Sequence, residues 1–184
     1  FLEPWRQVWS DGAALDSALN AASHAAEVVN ILLIGVIIHV SARRFWPDSA
    51  PRLGMSLALT TLFALTFYPL LYSVWLGQVQ TWLTLLFSAG VLAWLTKRKG
   101  LAGALVGLIC VIKPQLSLFL VWALLRKEWR FALGWAGVAA ALGALSLWRY
   151  GVANHLDYLP VLSFIAQRGE AYHPNQSING LLNR

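Results

Sequence analysis

The chain has 184 residues, of which 58% are hydrophobic and only 12% charged, with ten tryptophans and a net charge of +6. A soluble domain carries about 25% charged residues, so half that share, with a mean hydropathy of +0.60, excludes an ordinary water-soluble globule and points to lipid as the solvent. The basic balance does not imply nucleic acid, because the cations gather at the ends of apolar runs, and the single cysteine, Cys110, lies inside such a run and allows no disulfide framework.

In chain order, residues 1–26 carry the acids Glu3, Asp11 and Asp16 and a polar-punctuated stretch, GAALDSALNAASHAA (12–26), expected to lie as a helix at the outer interface. The first apolar run, 28–42, is short for a membrane span and contains His39, a lone histidine expected to be a satisfied core residue. The second covers 53–75 and the third 79–96. Two shorter runs follow, 101–112 and 116–125, split by Lys113-Pro114, and the last is 131–148. A bilayer core needs about 20 apolar residues in a helix, within a range of about 17–25. Residues 101–112 give only about 18 Å at ~1.5 Å rise, little more than half of the ~30 Å core.

Arg43, Arg44 and Arg52 flank one connection, Lys97, Arg98 and Lys99 form the next, and Arg126, Lys127 and Arg130 a third. Placing all three in the cytoplasm satisfies the positive-inside rule and requires residues 101–125 to go up and come back. A single kinked span through the same residues is the competing topology, and it puts Arg126, Lys127 and Arg130 outside. The expected fold is therefore all-α: a polytopic transmembrane helix bundle with a short broken helical hairpin at Lys113-Pro114. It reads as one transmembrane domain, with an outer-side segment over 1–26, membrane helices over 27–148 and an outer-side loop over 149–184. The start at Phe1 and the end at Arg184 are expected to be those of a portion of a longer protein.

Polar groups at membrane depth are costly and default to functional hypotheses. Gln78, after Gly77, is either part of a glycine-capped turn meeting water or a glutamine aimed into an outer cavity. Gln80 is expected to be a solvated neighbour of that turn. Lys113 is the sharpest single residue, because Pro114 removes a backbone donor and forces its predecessor out of the helical region. It either snorkels to outer phosphates or holds its ammonium at the mouth of a recessed cavity to pair with a phosphate. The end of the chain, YHPNQSINGLLNR (172–184), crowds amides with a histidine and an arginine. It is a plain outer loop or a group of donors and acceptors able to span neighbouring hydroxyls, and Asn175-Gln176-Ser177 also fits the short glycosylation acceptor pattern. There is no Cys/His cluster and no phosphate-binding glycine loop, so neither a metal site nor another cofactor is expected, and the lack of an internal repeat weakens a transporter built from two similar halves.

The ordered set WLGQVQTWLTLLF (75–87), KRKGLAGALVGLICVIKPQ (97–115), RKEWR (126–130) and NQSINGLLNR (175–184) resembles glycosyltransferase family 87 of the GT-C superfamily, typified by polyprenyl-phosphate-mannose-dependent mannosyltransferases. The resemblance spans about residues 50–184 and implies a GT-C-like integral membrane enzyme with its site on the outer face of the bacterial plasma membrane, active in cell-envelope biogenesis. It implies an inverting transfer of a hexose, mannose by analogy, from a polyprenyl-phosphate donor to a lipid-linked or polysaccharide acceptor, with membrane lipid around it and no nucleic acid. Carried over by motif, Gln78, Lys113, Asn175, Gln176, Ser177 and Arg184 line the site with Gly77, Pro114 and Gly180; His173 is a weaker candidate, and Asn179 would hold a sugar hydroxyl. Such enzymes are similar in using an acid in a first outer loop as general base. None of Glu3, Asp11 and Asp16 matches that pattern, so the first helix, its loop and the base are expected upstream of residue 1, and these 184 residues are expected to be inactive alone. A transporter or flippase of lipid-linked sugars is the main alternative, and a non-catalytic assembly subunit the third.

Overall fold

The computed structural model describes residues 12–68 and 79–168, and every regular element among them is helical. The helices are α1 (Gly12–Phe45), α2 (Leu53–Thr66), α3 (Gln80–Leu95), α4 (Lys99–Ile112), α5 (Leu118–Leu125) and α6 (Trp129–Arg168), with single 3-10 turns at Pro47–Ser49 and Pro114–Ser117. Two stretches are long and apolar enough to cross a membrane, Asp16–Phe45 in α1 and Trp129–Phe164 in α6; the other apolar helices are shorter. The chain forms two compact units, residues 1–139 and 140–184, and α6 runs from the first into the second.

The stretch 12–26 is helical, as expected. It continues into the first apolar run as one helix of 34 residues. Alanine dominates it, and no glycine or proline interrupts residues 13–34, so nothing in the local chemistry stops the helix once begun.

Within the first unit α1 packs on both α2 and α3, and α3 packs on α4. The α1–α2 approach is closest at Gly35, where an added Cβ would lie 2.7 Å from Leu57 Cδ2. Threonine hydroxyls along these apolar helices turn back on their own backbone: Thr60 donates to the Ser56 carbonyl at 2.8 Å and Thr96 to that of Leu92 at 2.8 Å. That local bond is how a hydroxyl is satisfied without water. His39 is satisfied as expected, its Nδ1 lying 3.0 Å from the Pro51 carbonyl oxygen.

The hairpin is real. Lys99 at the start of α4 pairs with Glu128, beyond the end of α5, at 2.6 Å. A single kinked span would hold these residues on the order of 40 Å apart at ~1.5 Å per residue. The α4 arm then packs on the start of α6 through glycines. A Cβ at Gly107 would fall 2.8 Å from the Trp135 carbonyl oxygen, and one at Gly103 would collide with the Phe131 backbone. This is close backbone approach through a small-residue motif.

Two turns close these arms in the same way. After α3, Arg98 N–H donates to the Ala93 carbonyl at 2.8 Å; after α5, Glu128 N–H donates to the Ala123 carbonyl at 2.8 Å. Both are Schellman-type caps. Each places a lysine in the left-handed region that glycine usually fills, Lys97 at φ 64 and Lys127 at φ 56, a conformation costing roughly 1–2 kcal/mol for a residue with a Cβ.

In the second unit the helix continues past Trp148 to Arg168, so the described part of the expected outer loop is helical. Gly151 breaks its regularity with φ 76 and ψ 161. His155 bridges the break: Nδ1–H donates to the Gly151 carbonyl at 2.7 Å, which leaves Nε2, 2.9 Å from Ser146 Oγ, to accept the serine proton.

Candidate functional site

Among the sequence-predicted site residues, Lys113 lies within the described structure. Gln78, His173, Asn175, Gln176, Ser177, Asn179 and Arg184 lie outside the described residues.

Lys113 caps α4 at the tip of the hairpin. Its backbone is extended, φ −124 and ψ 85, as its position before Pro114 requires. The carbonyl of Lys113 accepts from Leu116 N–H at 3.1 Å and its own N–H donates to Ile109 at 2.8 Å, so both ends of the break are tied. The half-buried side chain reaches across to the first turn of α3, where Nζ donates to Gln80 Oε1 at 2.6 Å. Gln80 is in turn oriented by Thr84: its Nε2 lies 3.4 Å from Thr84 Oγ1, and that hydroxyl donates to the Gln80 carbonyl at 2.8 Å. Gln80 is thus a partner of Lys113, not the solvated neighbour expected. Its register decides this, since at the start of α3 Gln80 faces the Lys113 cap of α4 while Val79 and Trp82 beside it stay exposed.

No carboxylate pairs Lys113 among the described residues. An ammonium has three donors, and the neutral Gln80 oxygen uses one. A cation fixed in place by an amide, with donors left over and no counter-ion, is suited to an anion that arrives from outside.

One residue further along α3, Thr81 turns to α1 instead. There a second polar group is sealed between helices: Glu27 is 7% exposed, Asn30 0% and Thr81 2%. Asn30 is the hub. Its Nδ2 lies 3.5 Å from Glu27 Oε1, and its Oδ1 accepts from Ser88 Oγ at 2.8 Å. Thr81 faces the Glu27 carboxyl, yet Glu27 Oε2 and Thr81 Oγ1 make no good hydrogen bond. Glu27 lies one residue before the apolar run 28–42 and Asn30 inside it, and neither is among the residues expected to be functional. The signal was present: an acid and an amide three apart share one helix face and sit inside a greasy segment, where such groups are rare. Glu27 is buried beside Asn30 on one face of α1, and it is Asn30, through Ser88, that ties α1 to α3.

The first turn of α3 therefore presents Gln80 to the cation of the hairpin and Thr81 to the buried carboxyl of α1. A comparison with curated proteins and with solved structures gives no match. Compared with known families, residues 13–184 match Glycosyltransferase family 87. That match covers nearly the whole sequence, including the Gln80–Lys113 pair, both arms of the hairpin and the α1–α3 seam, and the chain belongs to glycosyltransferase family 87.

Proposed function

We propose that this chain is the substrate-binding part of a polytopic membrane hexosyltransferase that takes a sugar, mannose in our reading, from a polyprenyl-phosphate donor on the outer side of the membrane and passes it to a lipid-linked or polysaccharide acceptor. The observation that carries the proposal is the Lys113 ammonium, without a carboxylate partner among the described residues, at the tip of a hairpin too short to cross a bilayer. α4 has 14 residues, about 21 Å at ~1.5 Å rise against a core of ~30 Å. In a membrane with the arginine- and lysine-rich turns inside, Lys113 lies recessed below the outer surface, where a lipid-bound phosphate can reach it sideways from the bilayer.

The chemistry follows from that placement. A carboxylate outside these residues takes the proton of the acceptor hydroxyl. The acceptor oxygen attacks the anomeric carbon as its bond to the donor phosphate oxygen breaks, and one displacement inverts the configuration. Negative charge grows on the departing polyprenyl phosphate, and Lys113 meets it, an electrostatic contribution typically worth ~3 kcal/mol per preorganised donor. In this reading Gln78, Asn175 and Asn179 hold sugar hydroxyls, Arg184 shares with Lys113 the charge on the leaving phosphate, and Gln176, Ser177 and His173 are further substrate contacts.

The test is Lys113→Ala in the full-length enzyme, assayed for transfer from a polyprenyl-phosphate sugar. The expected result is a fall in kcat/KM of about 100-fold or more, with partial recovery in Lys113→Arg. Transfer within twofold of the unmodified enzyme ends the proposal.

A further inference from the structure

At the opposite end of α4 from Lys113, cations from four separate elements converge on a pocket of about 660 Å³: Arg44 from the end of α1, Lys97 and Lys99 around the α3–α4 turn, Lys127 from the α5–α6 turn and Arg130 from α6. Among the described residues Glu128 is the single acid lining it, and it is already taken by Lys99 at 2.6 Å. Arg44, Lys97, Lys127 and Arg130 make no ion pair among the described residues. A preference for cations on one side of a membrane explains their number, but not their convergence, nor the choice of a lysine at both left-handed turn positions where glycine is easier.

Trp94 is a shared wall. One contact of its ring is with Lys99, whose Nζ is 4.8 Å from the ring centre. The same indole closes an apolar cleft of about 150 Å³ between α3, α4 and α5, with Phe87, Phe119, Trp122 and Phe131 among its lining and no polar surface. Trp94, Trp122 and Phe131 pack as a triad with ring centres 5.3–6.0 Å apart. A cationic pocket thus abuts a dry aromatic cleft across one tryptophan.

We propose that pocket and cleft form one binding site for an anionic glycerophospholipid, its headgroup phosphate among Lys97, Lys127, Arg44 and Arg130 and an acyl chain along the cleft. Charge selects the headgroup and the apolar cleft requires a chain, so a free phosphate satisfies only half of the site. The bound phosphate ties together the turns that close both arms of the hairpin and the basic end of α1. Its leaflet follows from the orientation proposed above; binding itself does not depend on that orientation, nor on transferase activity.

The experiment is native mass spectrometry of the full-length protein in detergent, titrated with dioleoyl phosphatidylglycerol, dioleoyl phosphatidylcholine or glycerol phosphate. Phosphatidylglycerol is expected to bind at least tenfold more tightly than phosphatidylcholine, and glycerol phosphate not to bind in the same range. In the double variant Lys97→Gly/Lys127→Gly the preference is expected to fall at least fivefold with the thermal midpoint unchanged or raised, because glycine eases both left-handed turns. Equal binding of the two lipids, full binding of glycerol phosphate alone, or an undiminished preference in the double variant overturns the proposal.

Discussion

Glu27 shows what a single misplaced polar group does in this molecule. Its Oε1 is the partner of Asn30 Nδ2, and its Oε2 is buried without one. Glu27→Ala strands the Asn30 amide in a dry interface and is expected to cost about 1–3 kcal/mol. Glu27→Gln keeps the acceptor for Asn30 and supplies an N–H where Thr81 Oγ1 lacks a partner, so it is expected to match or exceed the native stability. Thermal unfolding of the two variants in detergent checks both. A Gln variant less stable than the Ala variant would mean the seam needs the carboxyl itself. The same scale explains why Lys113 was readable in advance and Gln80 was not. A lysine before a proline inside an apolar run violates two local rules at once, whereas a glutamine in a first helical turn violates none until its neighbour across the bundle is known.

At the scale of elements, the α4–α5 hairpin depends on glycine. Gly103 has no room for a Cβ against the Phe131 backbone, whereas Gly137 has nothing within 4 Å. Gly103→Val is therefore expected to push α4 off α6 and destabilise the protein by at least the ~1–3 kcal/mol typical of overpacking. Gly137→Ala is expected to be neutral or to gain up to ~1 kcal/mol of helix propensity. Unfolding midpoints of the pair measure the contrast, and similar values for both would show that the α4–α6 contact is not needed. The spacing Gly103-x-x-x-Gly107 announced a packing face, but not its partner. That partner is supplied by the Lys99–Glu128 bridge and the return of the chain at Lys127, which bring the start of α6 alongside α4.

For the whole molecule, the orientation in the membrane governs whether Lys113 meets an outer donor. Gln115 lies exposed in the turn at the hairpin tip, and Lys127 lies exposed at the other end. In a Cys110→Ala background, a cysteine at 115 is expected to react with a membrane-impermeant maleimide on intact cells, and one at 127 only after permeabilisation. The reverse pattern would invert the topology and remove the outer-face site. Cys110 itself is buried, where its Sγ accepts from Trp135 Nε1 at 3.2 Å, and its replacement by alanine leaves the introduced cysteine as the thiol that is read.

The sequence by itself determined the helical class, the break at Lys113-Pro114 and the family, because each of these is written in composition, in hydrophobic run length or in short ordered motifs. It placed every charged turn correctly along the chain, since cations at the ends of apolar runs are a local signal. The tertiary structure decided what no local signal carries: that residues 12–26 join the first apolar helix, that Gln80 holds Lys113, that Glu27 and Asn30 bury each other against α3, and that two lysine-bearing turns face one pocket. The physical reason is common to all four. A polar group in an apolar chain must find a partner or pay for its desolvation, and the identity of that partner is a property of helices brought together from distant parts of the sequence.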